Sequence, residues 1–361
     1  MAEAGTSRSG AGKGTAGSPG ASPVRTVRPE FTGSAGEYFR IWIVNLFFSL
    51  LTLGIYSAWA KVRKKKYFYG CTRLDGETFD YFGRPKAILK GRIVAFLAFV
   101  VYAFVGELYP YSRYAFWAVA IVAMPWLVVR ALTFNARNSA HRGLRFHFAG
   151  TPKGAAGVYI GTLLLAVLSG GLAYPLFVAR QKRFVVANHS FGLSALTCEL
   201  SPGAFFWIYF RSFLIVLLVA VPLSVAATFA VRTVELPESL SWMIWALPAL
   251  GAYAGYAVAY AYVQARTTNL LWNGTGGPGF RFTSSLSALK LVRLYLGNVI
   301  AVACTAGLLI PWAVVRTLKY RYERLEIAFE SEVVHEANPS FARVGATGQE
   351  LGDFFNLDFG L

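Results

Sequence analysis

The chain has 361 residues, 55% of them hydrophobic and only 15% charged, whereas a soluble domain carries about 25% charged residues. Most of it must therefore face something other than water. The formal net charge is +17, but the basic residues cluster in blocks 61–92, 130–153, 180–211, 266–293 and 316–324, each abutting an apolar run. That is the positive-inside pattern of a polytopic membrane protein, which sets nucleic acid aside as a partner and implies a phospholipid bilayer with its anionic headgroups.

Residues 1–30 are rich in Gly, Ser, Ala and Pro and lack the apolar region of a signal peptide, so they read as a disordered cytoplasmic tail. Residues 31–335 read as one membrane domain built from five copies of a module, and 336–361 as a second tail that ends in a short acidic-aromatic docking motif or a loose terminus. Each module joins an apolar run, an arginine, an aromatic polar hairpin and a further apolar run. The arginines are Arg63, Arg130, Arg180, Arg266 and Arg316, and four residues later come Tyr67, Phe134, Phe184, Leu270 and Tyr320. Turn glycines recur at Gly76, Gly143 and Gly279, followed three residues on by Phe79, Phe146 and Phe282, with Leu196 in the third copy.

Four apolar segments, about 87–109, 113–132, 205–231 and 239–264, have the roughly 20 residues that a bilayer span needs. Their short, lysine-poor linkers, 107–113 and 232–238, are expected on the periplasmic side. Three others, 37–63, 155–180 and 290–316, resemble one another and carry a glycine nine residues before the arginine, at Gly54, Gly171 and Gly307. Basic blocks flank both ends of each, so these are expected to be helical hairpins broken at the glycine, entering and leaving on one side. The competing reading is an ordinary kinked span. The polar stretches 67–84, 134–151, 184–201, 267–284 and 320–335 read as β-hairpins, Asp75-Gly76 giving the strongest turn signal. Together they would form a cytoplasmic layer with both termini beside it. The fold class is a polytopic α-helical membrane protein with short pseudo-repeated β-hairpins, α+β overall.

The segments Glu37–Asn45, Thr52–Arg63, Tyr67–Gly70 and Leu74–Gly76 resemble the YjgN-type family of bacterial inner-membrane proteins, catalogued as a domain of unknown function (DUF898). The resemblance implies a multi-pass protein of the bacterial cytoplasmic membrane and supplies no catalytic or binding residues. Function is thus read from the residues themselves. The inner parts of these runs, 41–60, 93–106, 114–129, 154–179, 212–231, 239–265 and 294–315, contain no Asp, Glu, Lys, Arg or His, which argues against a proton-coupled pump and leaves passage of a neutral solute or lipid. Asn45, Thr162 and Asn298, near the middle of the broken segments, are candidates to line a cavity or to bond between helices. Tyr253, Tyr256 and Tyr260 share a helical face and are candidates for the same cavity, beside a Gly251/Gly255 pair suited to close helix packing.

The arginine column is read either as topological anchoring at helix C-termini or as a grip on lipid headgroups or carboxylates, for which a guanidinium fork is suited and an ammonium is not. Cys71, Cys198 and Cys304 read as free thiols, and His141, His147 and His189 match no metal-site spacing. No cofactor, metal or catalytic constellation is expected. A transport or envelope-maintenance role and a membrane scaffold binding anionic lipid or a protein are both open, and no motif specifies a protein partner or an oligomer.

Overall fold

The computed structural model describes residues 25–233 and 242–330. Among the described residues, ten helices form five antiparallel pairs. Three pairs are short: α1 (Ala35–Leu51) with α2 (Ser57–Gly70), α5 (Pro152–Leu168) with α6 (Tyr174–Ala187), and α9 (Ala288–Cys304) with α10 (Ile310–Tyr322). Two are long: α3 (Pro85–Leu108) with α4 (Ser112–Asn138), and α7 (Pro202–Thr233) with α8 (Met243–Asn273). Neighbouring pairs touch through α2 and α3, α4 and α5, α6 and α7, and α8 and α9, and α10 returns to pack on α1. The helices thus close into a ring.

Three helices, α3, α4 and the Pro202–Ala230 part of α7, are long and apolar enough to cross a membrane. At about 1.5 Å per residue, the 24 residues of α3 reach about 36 Å, beyond the ~30 Å hydrocarbon core. The fourth expected span falls on α8, except that 239–241 lie outside the described residues, as does most of the linker 232–238. A side chain at Gly255 would meet Ala220 and the Val216 carbonyl at 3.2 Å. The glycine pair therefore serves close packing of α8 on α7.

The three short pairs turn at the expected glycines. Leu53-Gly54, Gly170-Gly171 and Ala306-Gly307 all have positive φ, near +50° to +60° and then +90° to +92°. The glycine N–H donates back five residues, to the Ser49, Ala166 and Val302 carbonyls at 2.7, 2.8 and 2.9 Å, a left-handed C-cap that satisfies the first helix's last acceptors. One hydroxyl caps both helices of each pair. Thr52 donates to the Phe48 carbonyl at 2.7 Å and accepts the Tyr56 N–H at 2.9 Å, and Ser169 and Thr305 act alike. Around these tips Leu51, Leu53, Ile55, Leu168, Leu172 and Leu308 are exposed.

The strands lie at the opposite end from the tips. They are β1 (Arg25–Val27), β2 (Glu30–Phe31), β3 (Thr72–Leu74), β4 (Glu77–Tyr81), β5 (Ser139–His141), β6 (Leu144–Phe148), β7 (His189–Phe191), β8 (Ser194–Ala195), β9 (Thr197–Cys198), β10 (Thr275–Gly277), β11 (Phe280–Ser284) and β12 (Leu325–Phe329). One sheet runs β2-β3-β4-β5-β6-β7-β8, the other β1-β12-β11-β10-β9, with antiparallel neighbours throughout. Only Arg28 and Pro29 separate β1 from β2, and only Leu196 separates β8 from β9. The two sheets are therefore joined at both ends, and the pairing closes on itself without a long open edge.

Several sequence expectations need correction here. Residues 25–31, placed mostly in the disordered tail, supply the strands that complete the pairing of β12 and β3. The stretch Tyr67-Phe68-Tyr69, expected as strand, lies in the last turn of α2, and 134–138, 184–187 and 267–273 likewise end α4, α6 and α8. The fourth hairpin turns at Pro278-Gly279 rather than across 273–279. These aromatic residues stay helical because they have partners there. The Tyr67 hydroxyl accepts the Ser34 N–H and the Tyr320 hydroxyl accepts the Ser287 N–H, each at 3.0 Å, pinning the start of α1 and α9. Phe184 closes over Gly150, where an added Cβ would fall 2.9 Å from its ring. Tertiary packing has overridden β propensity. Residues 1–24 and 331–361, including the expected docking motif, lie outside the described residues.

Candidate functional site

A cavity of about 1370 Å³ lies inside the closed strand pairing and between the helices that run into it. The strand-borne part is aromatic. Phe79, Phe146, Leu196 and Phe282, the residues three past the turn position, all line it, with Pro29 in the matching place on the N-terminal strand segment. Alternation explains their common direction, since successive strand side chains point to opposite faces. Phe79 stacks on His141 with ring centroids 4.4 Å apart, and Phe146 meets Phe191 at 5.0 Å.

Away from the strands the lining passes to helix residues. Lys61, Lys64, Lys65 and Phe68 form one stripe of α2, Leu132 and Asn135 of α4 and Ser139 at the start of β5 continue it, and Arg321 enters from α10. The Lys65 ammonium donates to the Asn135 carboxamide oxygen at 3.3 Å and lies 5.4 Å from the Tyr81 ring. Lys182 on α6 lies near Arg321, and burial together with that guanidinium pushes its ammonium pKa down. The lining also includes Val302, Ile310, Ala313 and Val314, with Asn298 among them. At the far end are Asp75, Arg25, Arg142 and Glu330. Asp75 pairs with Arg142 at 2.7 Å and with Arg25, and Glu330 pairs with Arg281 at 3.2 Å.

His189 is 3% exposed and its Nδ1 lies 2.6 Å from the Val185 carbonyl. Burial holds its pKa down to about 4, so the ring is neutral at physiological pH. The Cys198 thiol is buried against Thr275 and shifted upward by that burial, a packing residue rather than a reactive one. Among the described residues no group of three or more His, Cys, Asp or Glu is placed to hold a metal ion.

The residues singled out from sequence go to different places. Asn298 lines the cavity, but its amide also donates to the Ala313 carbonyl (3.3 Å) and the Thr317 hydroxyl (3.0 Å), tying α9 to α10. Asn45 bonds the Ala60 carbonyl at 3.4 Å and ties α1 to α2 in the same manner, outside the lining. Thr162, within a π turn of α5, donates to its own helix at Val158. Tyr253, Tyr256 and Tyr260 are exposed and away from the cavity, because the glycine face of α8 is the one that meets α7.

The five arginines do not converge either. Arg63, Arg180, Arg266 and Arg316 are exposed and Arg130 is half-buried. They stand about two turns before each helix ends, so they do not cap its C-terminus. Three lie over an aromatic ring one turn back: Arg130 over Trp126 at 5.2 Å, Arg266 over Tyr262 at 5.8 Å and Arg316 over Trp312 at 4.9 Å. What the column does mark is register. The residues eight past each arginine are Cys71, Asn138, Asn188, Gly274 and Arg324, and their carbonyls accept from Thr32, Phe82, Ala149, Glu199 and Ser285 at 2.8–3.0 Å. The basic stripe of α2 escaped sequence reading because Lys61–Lys66 reads as topological charge. The i, i+3, i+4 spacing of Lys61, Lys64 and Lys65 shows a shared helix face but not which way that face points.

The profile of a family described as "Bacterial protein of unknown function (DUF898)" matches residues 26–354. The chain belongs to that family. Among curated relatives, the inner membrane protein YjgN of Salmonella typhimurium is 29% identical over 119 residues, which is 33% of this chain and 30% of the relative. The inner membrane protein YjgN of Escherichia coli O157:H7 is 26% identical over 153 residues, 42% of this chain and 38% of the relative. The matched part thus spans about a third of the length of these relatives. No solved structure matches. For this DUF898 member the cavity is the feature that gathers the most chemistry into one place.

Proposed function

We propose that this is a multi-pass protein of the bacterial inner membrane whose five modules, each a helical hairpin followed by a β-hairpin except in the fifth, where the single strand β12 pairs with the N-terminal β1 instead, are copies of one unit arranged around a central cavity. In this reading the long pairs α3–α4 and α7–α8 span the bilayer. The short pairs dip into it and return, and the strands form a cytoplasmic layer beside both termini. The names of the relatives support the compartment. The exposed leucines at the Gly54, Gly171 and Gly307 tips support immersion of the short pairs, since they would otherwise meet water.

The function proposed is non-enzymatic passage or holding of a small solute or lipid, serving transport or envelope maintenance. One observation carries it: the cavity extends from the strand turns to Ile310, only three residues beyond the Gly307 tip. Irregular or polar lining at that depth is tolerated where it faces a cavity. The test is reconstitution of the full chain in vesicles, with Val314→Phe and Thr317→Trp filling the cavity. Loss of solute release or of lipid exchange between leaflets, with the variant still assembled, supports the reading. Equal rates with the filled and open cavity sink it.

A second reading is a scaffold that holds anionic lipid on its outside. Arg130, Arg266 and Arg316 favour it, because a guanidinium stacked on an interfacial aromatic ring is oriented toward the headgroup region.

A further inference from the structure

Resting on the second reading above and giving it a place, we propose that the outer groove between α7 and α8 is a binding site for one anionic phospholipid. Its phosphate is held by Arg211 and Arg266, and its acyl chains lie along α7. The groove shares no lining residue with the central cavity.

Three features carry the assignment. The first is two cations meeting with no acid between them. The groove holds about 500 Å³ and is lined by Trp207, Ile208 and Arg211 of α7 and by Arg266, Asn269 and Asn273 of α8. The Glu199 N–H donates to the Gly274 carbonyl at 2.8 Å, so the start of α7 and the end of α8 lie at one level. Arg211 is nine residues past Pro202 and Arg266 seven before Asn273, about 13 and about 10 Å along their helices. The two positions are therefore nearly level across the groove. Neither α7 nor α8 contains Asp or Glu, and among the described residues neither arginine pairs with a carboxylate. Two like charges on one groove repel, and an anion between them makes both contacts favourable. A phosphate fits best, because its several oxygens accept a forked pair from each guanidinium.

The second is a further donor. The Asn273 carboxamide oxygen accepts the Ser284 N–H at 2.6 Å, which leaves its amide nitrogen to donate into the groove. Asn269 is fully used by contrast: its oxygen accepts from the Ser284 hydroxyl and the Leu286 N–H at 2.8 Å, and its nitrogen donates to the Leu286 carbonyl at 2.9 Å. It holds the end of α8 in place and forms a wall. The third is depth. Phe206, Trp207 and Phe210 are exposed, and the Trp207 and Phe210 rings meet at 5.6 Å, an aromatic belt of the kind that marks a membrane boundary. Leu214 and Leu218, three and seven residues beyond Arg211 and on its face, are exposed as well. They lead from the cations into the span. A soluble anion has no use for that apolar track, whereas a phospholipid matches both parts. Module register does not account for Arg211, since the other long pair has Val94 at the same place, nine residues past Pro85.

The experiment uses the purified full-length chain in a neutral detergent. It is titrated with phosphatidylglycerol, with phosphatidylcholine and with glycerol phosphate, and followed by native mass spectrometry and thermal stability. One tightly held phosphatidylglycerol with a raised melting temperature is expected, with much weaker binding of the other two. Arg211→Gln/Arg266→Gln should weaken that one site by at least about tenfold, and Arg63→Gln/Arg180→Gln, which removes the same charge elsewhere, should leave it unchanged. Glycerol phosphate binding as tightly as the lipid overturns the phospholipid, and phosphatidylcholine binding as well as phosphatidylglycerol overturns the charge argument. Equal loss in Arg63→Gln/Arg180→Gln overturns the location. Should Arg211→Gln/Arg266→Gln fail to assemble, Arg211→Lys keeps the charge and loses the fork; it should bind more weakly than the parent, and equal binding overturns the clamp. Arg130→Gln/Arg316→Gln separates this proposal from the scaffold reading beneath it. Lipid lost there but kept in Arg211→Gln/Arg266→Gln refutes the groove and leaves the scaffold standing, and lipid kept in both refutes the two together.

Discussion

Replacing Gly171 by alanine isolates the conformational term at a helical tip. Gly171 has φ +92°, and an added Cβ there meets nothing within 4 Å. No steric clash enters, so the cost is that of placing an L-residue in left-handed backbone, roughly 1–2 kcal/mol. Alanine also restricts the unfolded chain, which offsets up to about 1 kcal/mol, leaving a net loss of about 0.5–1.5 kcal/mol. The same holds at Gly54, which is equally open, and at Gly307, where the nearest atom is Ile310 Cδ1 at 3.6 Å. The tips belong to separate hairpins, so the three changes should add to a loss of about 3 kcal/mol. Against a typical total of about 5–15 kcal/mol that is a large fraction. Thermal unfolding in detergent, followed by fluorescence-detected gel filtration, would show it as a drop of several degrees for the triple variant. Asparagine, which tolerates this region better, should lose less than alanine. Gly36→Ala is the control: it is helical with equally open surroundings, and should gain about 0.5–1 kcal/mol. A Gly171→Ala protein as stable as the parent, or a Gly36→Ala protein destabilised as much, would refute the reasoning.

Other predictions rest on separate contacts. Tyr67→Phe and Tyr320→Phe each remove the hydroxyl that accepts the N–H of Ser34 or Ser287; each should cost about 1 kcal/mol, read in the same assay, with faster amide exchange at the start of α1 or α9. His189 has a folded pKa of about 4, below its unfolded value of about 6.5, so the unfolded chain binds the extra proton. Stability should therefore be full above about pH 6.5 and fall as pH drops toward 4, by about 3 kcal/mol across that window, and His189→Asn should flatten the dependence. Arg130→Lys and Arg316→Lys keep the charge but lose the planar stack on Trp126 and Trp312. Reduced retention of anionic lipid on the outer surface is expected, and unaltered retention counts against the headgroup role.

Much of the architecture could be read from local chemistry. A glycine nine residues before an arginine, in apolar runs too short for two spans and flanked by basic blocks at both ends, pointed to broken hairpins, and positive-φ pairs stand at those places. Asp75-Gly76 and Arg142-Gly143 turn where glycine was expected, both residues of each pair having positive φ. The strand boundaries were not legible, because the aromatic residues after each arginine have strand propensity and only the distant partners Ser34, Ser287 and Gly150 show why they remain helical. The closing strand was hidden too. Arg25–Phe31 lies at the edge of a low-complexity stretch, and its role depends on β12 and β3, which lie about 300 and 45 residues away. Of the residues expected to line a cavity, Asn298 is in the lining, while Asn45, Thr162 and the three tyrosines are outside it. The α2 lysines were read as topological charge, since no local pattern distinguishes a stripe that faces inward from one that faces headgroups.

The account depends on all strand turns sharing one compartment. In a background with Cys71, Cys198 and Cys304 replaced by serine, single cysteines at Glu77, Arg145, Leu193 and Arg281 sample four turns or strands, and one at Tyr111 samples the α3–α4 tip, where the side chain is 86% exposed. A membrane-impermeant maleimide applied to intact cells should label only the Tyr111 site, and should reach the other four once the inner membrane is opened. Labelling of any of those four from outside would contradict the layout.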